Sequence, residues 1–173
     1  IKEGKAQPNE IGYFSFTVKA AEEIRNRVAM ENMSENELKK MYPYFCTLHS
    51  LAYKCLRLEP HEIMDELDYM ELSDKTGRKF VNKMKKGNGM DISMPTAQSQ
   101  YQDTINLAYA KYPNDKDRLQ KIFREVKLAD YGARNTIMQM DKDLSNFKRD
   151  RHKLEYVDYF NSFLETKNPP PLK

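Results

Sequence analysis

Two short stretches hold residue types suited to gripping a polyanion. In "YFSFTVKAAEEIRNRV" (13–28) an aromatic, a hydroxyl and a cation stand together as Phe16, Thr17 and Lys19. In "CTLHSLAYKCL" (46–56) a hydroxyl, an imidazole and a second hydroxyl stand together as Thr47, His49 and Ser50. An aromatic ring stacks on a base of any sequence, and Thr, His and Lys donate to phosphate oxygens. A third stretch, "KTGRKFVNKMKK" (75–86), carries six Lys or Arg and no acid, and its end at Lys83, Lys85 and Lys86 leads into a Gly-Asn-Gly loop. Such a run suits phosphate contact. "FKRDRHK" (147–153) is a second basic cluster.

Each stretch also has a plainer reading. Phe16 can be a core residue and Lys19 a solvated one, His49 a capping or packing residue, and the basic run a solvated face. Residues 59–74 are acidic and can pair with the basic run that follows. Complete active sites of the common kinds are missing from the sequence. There is no G-x-x-x-x-G-K-[ST] loop to cradle a triphosphate, and no paired-carboxylate or His/Cys spacing for a metal. His49 and Ser50 are chain neighbours, which cannot easily face each other as base and nucleophile.

The elements that would position these residues follow from periodicity. Residues 11–16 are apolar and aromatic on both parities, as in a strand buried on both faces of a parallel sheet. Thr17 can cap the helix that follows, with Ala20, Ala21, Ile24 and Val28 on one face. Ser34 and Glu37 have capping-box spacing and open a short helix to about Met41. Residues 44–47 read as a second buried strand, and Leu48, Leu51, Ala52 and Cys55 have helical spacing. Two parallel strands put their carboxyl ends, and so both polar stretches, on one edge.

From Leu58 to about 150 only helical periods are found. The predicted faces are Ile63–Met64–Leu67–Met70, Phe80–Val81–Met84, Tyr101–Ile105–Ala108–Tyr109–Tyr112, Leu119–Ile122–Phe123–Val126 and Ile137–Met140–Leu144–Phe147. Residues 86–95 form a loop by their Gly, Asn and Pro content.

With 173 residues, 32% of them charged and only 6 glycines, the composition suits a helix-rich domain with a real core. No apolar run approaches the roughly 18 residues of a membrane span. Cys46 and Cys55 read as reduced packing residues of a cytoplasmic protein. The net charge of +3 permits nucleic acid without demanding it. The first residue is Ile1, not Met, and the expectation is a piece of a longer polypeptide.

These motifs resemble those of UvrD/Rep/PcrA-type superfamily-one DNA helicases. "FSFTVKAAEEIRNRV" is similar to the family's motif Ia, T-F-T-N-K-A-A-x-E-M-x-x-R. "CTLHSLAYKCL" is similar to the next motif, T-F-H-S-L-x-x-x-x-L. "KLEYVDYFNSFL" (153–164) looks like the L-D-F-D-D-L-L segment before the Walker B strand. Val18 stands where the family has Asn, Leu48 where it has Phe, and Val157 where it has an acid.

The resemblance implies a mainly α chain, with a helical accessory subdomain inserted in a partial RecA-like α/β domain of two short strands. The implied boundaries are 1–57 for the partial RecA-like domain, 58–150 for the accessory subdomain and 151–173 for a return helix toward Walker B. It implies single-stranded DNA contacts at Phe16, Thr17, Lys19, Thr47 and His49. The expected partners are single-stranded DNA, a single-strand/double-strand junction and the remaining helicase domains of the same polypeptide. ATP and Mg²⁺ are expected in the parent enzyme and not in this chain, with Walker A upstream of Ile1 and Walker B past Lys173. A reading of another class is an all-helical module that binds a protein through its Tyr- and Met-rich faces.

Overall fold

The computed structural model describes residues 6–28, 33–82, 97–166, 170 and 172. It is mainly helical around a small parallel sheet, so the fold is not all-helical as the reading of another class has it. The chain divides into two compact units, Ile1–Leu58 with Ser162–Lys173, and Glu59–Asn161.

The first unit runs β1 (Tyr13–Ser15), α1 (Val18–Val28), α2 (Glu35–Met41), β2 (Phe45–Thr47) and α3 (Leu48–Cys55). β1 and β2 are parallel neighbours, with Tyr13 opposite Phe45, Phe14 opposite Cys46 and Ser15 opposite Thr47. A parallel pair needs a long crossover, which α1 and α2 supply. Ser34 caps α2 as its spacing predicts: Glu37 N–H donates to Ser34 Oγ at 3.3 Å, and Ser34 N–H donates to Glu37 Oε2 at 2.8 Å. Leu38, Tyr42 and Phe45 form a buried cluster, with Ile11, Ile24 and Val28 packed on it. Gly12 lets the chain enter β1, because a Cβ there would stand 2.7 Å from Phe14 Cζ.

Both strands are shorter than their apolar runs, and β1 is not buried on both faces. Tyr13 is 37% exposed, and Phe14 and Ser15 are half-buried. Among the described residues only β2 pairs with β1, which leaves its other edge uncovered. The continuous run "IGYFSF" is divided: Ile11 packs on the α2 cluster, while Phe16 turns to solvent.

The second unit contains α4 (Glu66–Thr76), α5 (Ala97–Lys111), α6 (Arg118–Glu125) and α7 (Tyr131–Arg151). α8 (Tyr156–Glu165) begins within it. Its core holds Leu72, Phe80, Ile105, Ile122, Phe123 and the α7 face Ile137, Met140, Leu144 and Phe147. That α7 face is the predicted one.

Two predicted faces are not formed. On α4 the buried residues are Tyr69 and Leu72, while Leu67 is 72% and Met70 57% exposed. Asp65 caps this helix through its bond from Asp68 N–H, and Tyr69, not Met70, turns inward, where its hydroxyl meets Glu155. The second difference is at Phe80–Asn82, which is irregular rather than helical, since α4 ends in a left-handed turn at Gly77 (φ 65°). Gln102, only 1% exposed, replaces a helical partner there. It accepts from Val81 N–H at 3.0 Å and donates to Val81 C=O at 3.1 Å. Met84 lies outside the described residues.

The hub of this unit is a buried charge. Lys148 Nζ lies 3.2 Å from Glu155 Oε2 and 2.8 Å from Asp158 Oδ2, and 4.9 Å from the centre of the Tyr109 ring. Tyr69 O–H donates to the other Glu155 oxygen at 2.7 Å, and Glu155 N–H donates to Asp158 Oδ2 at 2.8 Å. Burial opposes the charge on Lys148, but the two carboxylates outweigh it and hold its pKa above the ordinary value. Burial also lifts Glu155 above the usual carboxylate range, against the pull of Lys148. Tyr69 is pushed up by burial and then by the Glu155 charge, so it stays a proton donor.

Beside the hub the chain closes on itself. Leu154 N–H donates to Glu62 C=O at 2.7 Å, and Met64 N–H donates to Leu154 C=O at 3.0 Å. Replacing Lys148 by Met strands two carboxylates in the interior. The expected cost is about 3–5 kcal/mol at pH 7 by urea unfolding. The gap to wild type narrows as pH falls, because burial holds the Glu155 pKa up and the folded variant binds a proton there before the unfolded chain does.

Candidate nucleic-acid interface

Register decides where the two polar stretches meet. Because Ser15 lies opposite Thr47, both strands end at the same level and both helices start on the same edge. Neighbouring strands lie about 4.8 Å apart, so the two junctions leave the sheet side by side, from Ser15 and from Thr47. Local bonds fix each turn. Ser15 O–H donates to Thr17 C=O at 2.6 Å, and Thr17 Oγ1 accepts from Ala20 N–H at 3.2 Å, opening α1. Thr47 caps α3, its Oγ1 accepting from Ser50 N–H at 3.2 Å and lying 3.0 Å from Ser50 Oγ.

Phe16 is 87% exposed, which overturns its reading as a core residue. Val18 beside it is 62% exposed, and Thr17 and Lys19 are exposed. Thr47 and His49 are half-buried. A threonine hydroxyl that accepts a backbone N–H keeps its own proton to donate. Burial lowers the pKa of His49 below the ordinary imidazole value, so the ring is neutral at pH 7. The edge therefore offers a bare aromatic face, hydroxyl donors, a neutral imidazole and one flexible cation. That set suits an unpaired nucleobase and its phosphates.

The described part of the basic run does not gather into a patch. Lys75 pairs with Glu71 at 2.6 Å, and Arg78 with Asp143 at 2.7 Å. Lys83, Lys85 and Lys86 lie outside the described residues. Three cations of the 147–153 cluster are also paired within the fold. Lys148 is the buried hub, Arg151 pairs with Glu71, and Lys153 pairs with Asp68 at 2.8 Å. The acidic run thus neutralises this distant cluster as well as Lys75, a pairing that adjacency along the chain does not suggest.

Comparison with known families settles the family. The UvrD/REP helicase N-terminal domain model matches residues 1–170. The chain belongs to this family. No curated protein and no solved structure matched the chain. The helicase family brings ATP and Mg²⁺ into question, and the described residues do not fit them. Neither strand-to-helix junction contains a glycine, and among the described residues no three His, Cys, Asp or Glu gather to hold a metal. The third helicase-like segment serves structure in this chain: its acids Glu155 and Asp158 are the partners of Lys148.

Arg25 and Lys54 went unnoticed in the sequence. Arg25 falls on the α1 face of Ala21 and Val28, four and three residues away, and that placement was the available signal. A proton NMR titration checks His49. Its imidazole should titrate below 6.5, and the chain should lose stability as pH falls from 6.5 through that lower value, since the unfolded ring binds the proton more tightly. A His49→Gln variant should lose that dependence.

Proposed function

We propose that the chain is the part of an ATP-dependent DNA helicase that holds single-stranded DNA and helps to position the single-strand/double-strand junction. Phe16, Thr17, Thr47 and His49 contact the single strand, with Lys19 beside them. Lys83, Lys85 and Lys86 add phosphate contacts. The observation that carries this reading is Phe16, a ring 87% exposed on an edge where two capped strand-to-helix junctions adjoin. Exposing so much aromatic surface is unfavourable in water, and a stacked base offsets that cost without regard to sequence. At the junctions, hydroxyls and a neutral imidazole hold phosphates through hydrogen bonds.

The remaining helicase domains of the same polypeptide supply the ATP and Mg²⁺ chemistry in this proposal. Closure of two RecA-like domains then shifts the edge along the strand. The proposed setting is the cytoplasm. Among the described residues no helix is long and apolar enough to cross a membrane.

Phe16→Ala should weaken binding to a fluorescently labelled oligothymidylate by about 1–3 kcal/mol, roughly 5- to 150-fold. Its melting temperature should stay that of wild type; a sharp drop with unchanged affinity would return Phe16 to a structural role. Changing Lys83, Lys85 and Lys86 together to Gln should weaken binding to all sequences alike. The slope of log affinity against log salt should flatten by about 2, three phosphates at roughly 0.7 each. An unchanged slope would make the segment a solvated face.

A further inference from the structure

Arg25 is buried to 7% exposure, and its Nε has no hydrogen-bond partner. Glu35 feels the Arg25 charge but is held by Lys39. A buried guanidinium without an acid against it lowers stability, and such groups concentrate where an anion binds. Arg25 lines a cleft of about 430 Å³ between α1, α2, β2 and α3. Lys54 adds a second cation to its wall beside Glu22, while Lys39, also on the wall, is paired with Glu35. Lys54 is anchored, its ammonium donating to Pro43 C=O at 2.6 Å, which leaves two N–H groups for a ligand.

The cleft begins where the two junctions end. Val18 and Ser50 line it, one directly after Thr17, the other with its Oγ 3.0 Å from Thr47 Oγ1. From Val18 to Arg25 the α1 axis rises about 10 Å, seven residues at 1.5 Å, which exceeds one nucleotide step of roughly 6–7 Å in an extended strand. We propose that this cleft is a further phosphate-binding subsite, in which Arg25 and Lys54 hold a phosphodiester of the strand that crosses the two junctions. The guanidinium fork matches two phosphate oxygens. The inference rests on the reading of the junctions as the strand's track. That continuity selects a nucleic-acid phosphate over a carboxylate from a protein.

The test is anisotropy of labelled oligothymidylate binding to the chain, over a range of salt, with thermal unfolding in parallel. Arg25→Gln should weaken binding about tenfold, as loss of one charge-assisted bond does. It should lower the salt slope by about 0.7 and leave the melting temperature unchanged or raised, because an unpaired buried charge is gone. Lys54→Gln should act in the same direction, and Arg25→Lys should restore the slope but only part of the affinity. Should Arg25→Gln prove unfolded, the Lys54→Gln and Arg25→Lys results carry the test. Unchanged affinity and slope in Arg25→Gln, while Phe16→Ala still weakens binding, would overturn the cleft and leave the junctions standing. Weakening by Arg25→Gln with Phe16→Ala silent would keep the cleft as a phosphate site and remove the junction reading. No binding by wild type would overturn both.

Discussion

One ammonium group holds the helical unit together. Lys148 projects from α7 into a space walled by Tyr69 of α4, Tyr109 of α5 and the segment that opens α8, and two carboxylates converge on it. An ion buried this far is tolerated only if every lone pair and proton around it is met. Tyr69 and the Glu155 backbone meet the rest. The same side chains are therefore locked in orientation, and four stretches distant in sequence share one arrangement. A purely apolar contact would tolerate a shift in helix phase; a network of directed hydrogen bonds does not. The third helicase-like segment is tied into the helical unit by this constraint.

Charge bookkeeping gives the two units different characters. In the helical unit, clusters that look basic on paper are cancelled by acids many residues away, as Lys153 is by Asp68 and Arg151 by Glu71. Around α1 the balance runs the other way. Arg25 is enclosed with no acceptor on its Nε, while Phe16 and Val18 stand out into water. Costs of this kind, a charge held indoors and an aromatic ring outdoors, are what a binding surface retains when stability alone would remove them.

How much of this was legible in the sequence varies with the kind of signal. The cap at Ser34 and the α7 face were readable because each depends on neighbours within one or two helical turns. The parallel pairing of β1 with β2 followed from two strand-to-helix junctions in tandem. The α4 face differs from its reading because Leu67 and Met70 are apolar in type, while the Tyr69 bond to Glu155, 86 residues away, draws Tyr69 and Leu72 inward instead. Phe80–Val81 was read as helix because its side chains fit a helical period, and the turn at Gly77 and the reach of Gln102 outweighed that. The fate of Phe16 cannot be read from periodicity, and only the resemblance to motif Ia points it outward. Its parity in "IGYFSF" says core as easily as surface, and only the end of β1 at Ser15 decides. Arg25 sat in view on the α1 face, but the burial of a cation without a partner is a property of the folded chain.

The short bridge beside the hub has a consequence for how such a chain changes over generations. Leu154 is hydrogen-bonded both to Glu62 and to Met64, so the excursion between them leaves and returns at one point. Closing a loop costs entropy that grows only with the logarithm of its length, about 0.6 kcal/mol for each doubling. A segment whose ends already touch can be lengthened, trimmed or exchanged for another with little penalty at the seam. The helical unit is in this sense a cassette, whose replacement at that seam would leave the pairing of β1 with β2 untouched.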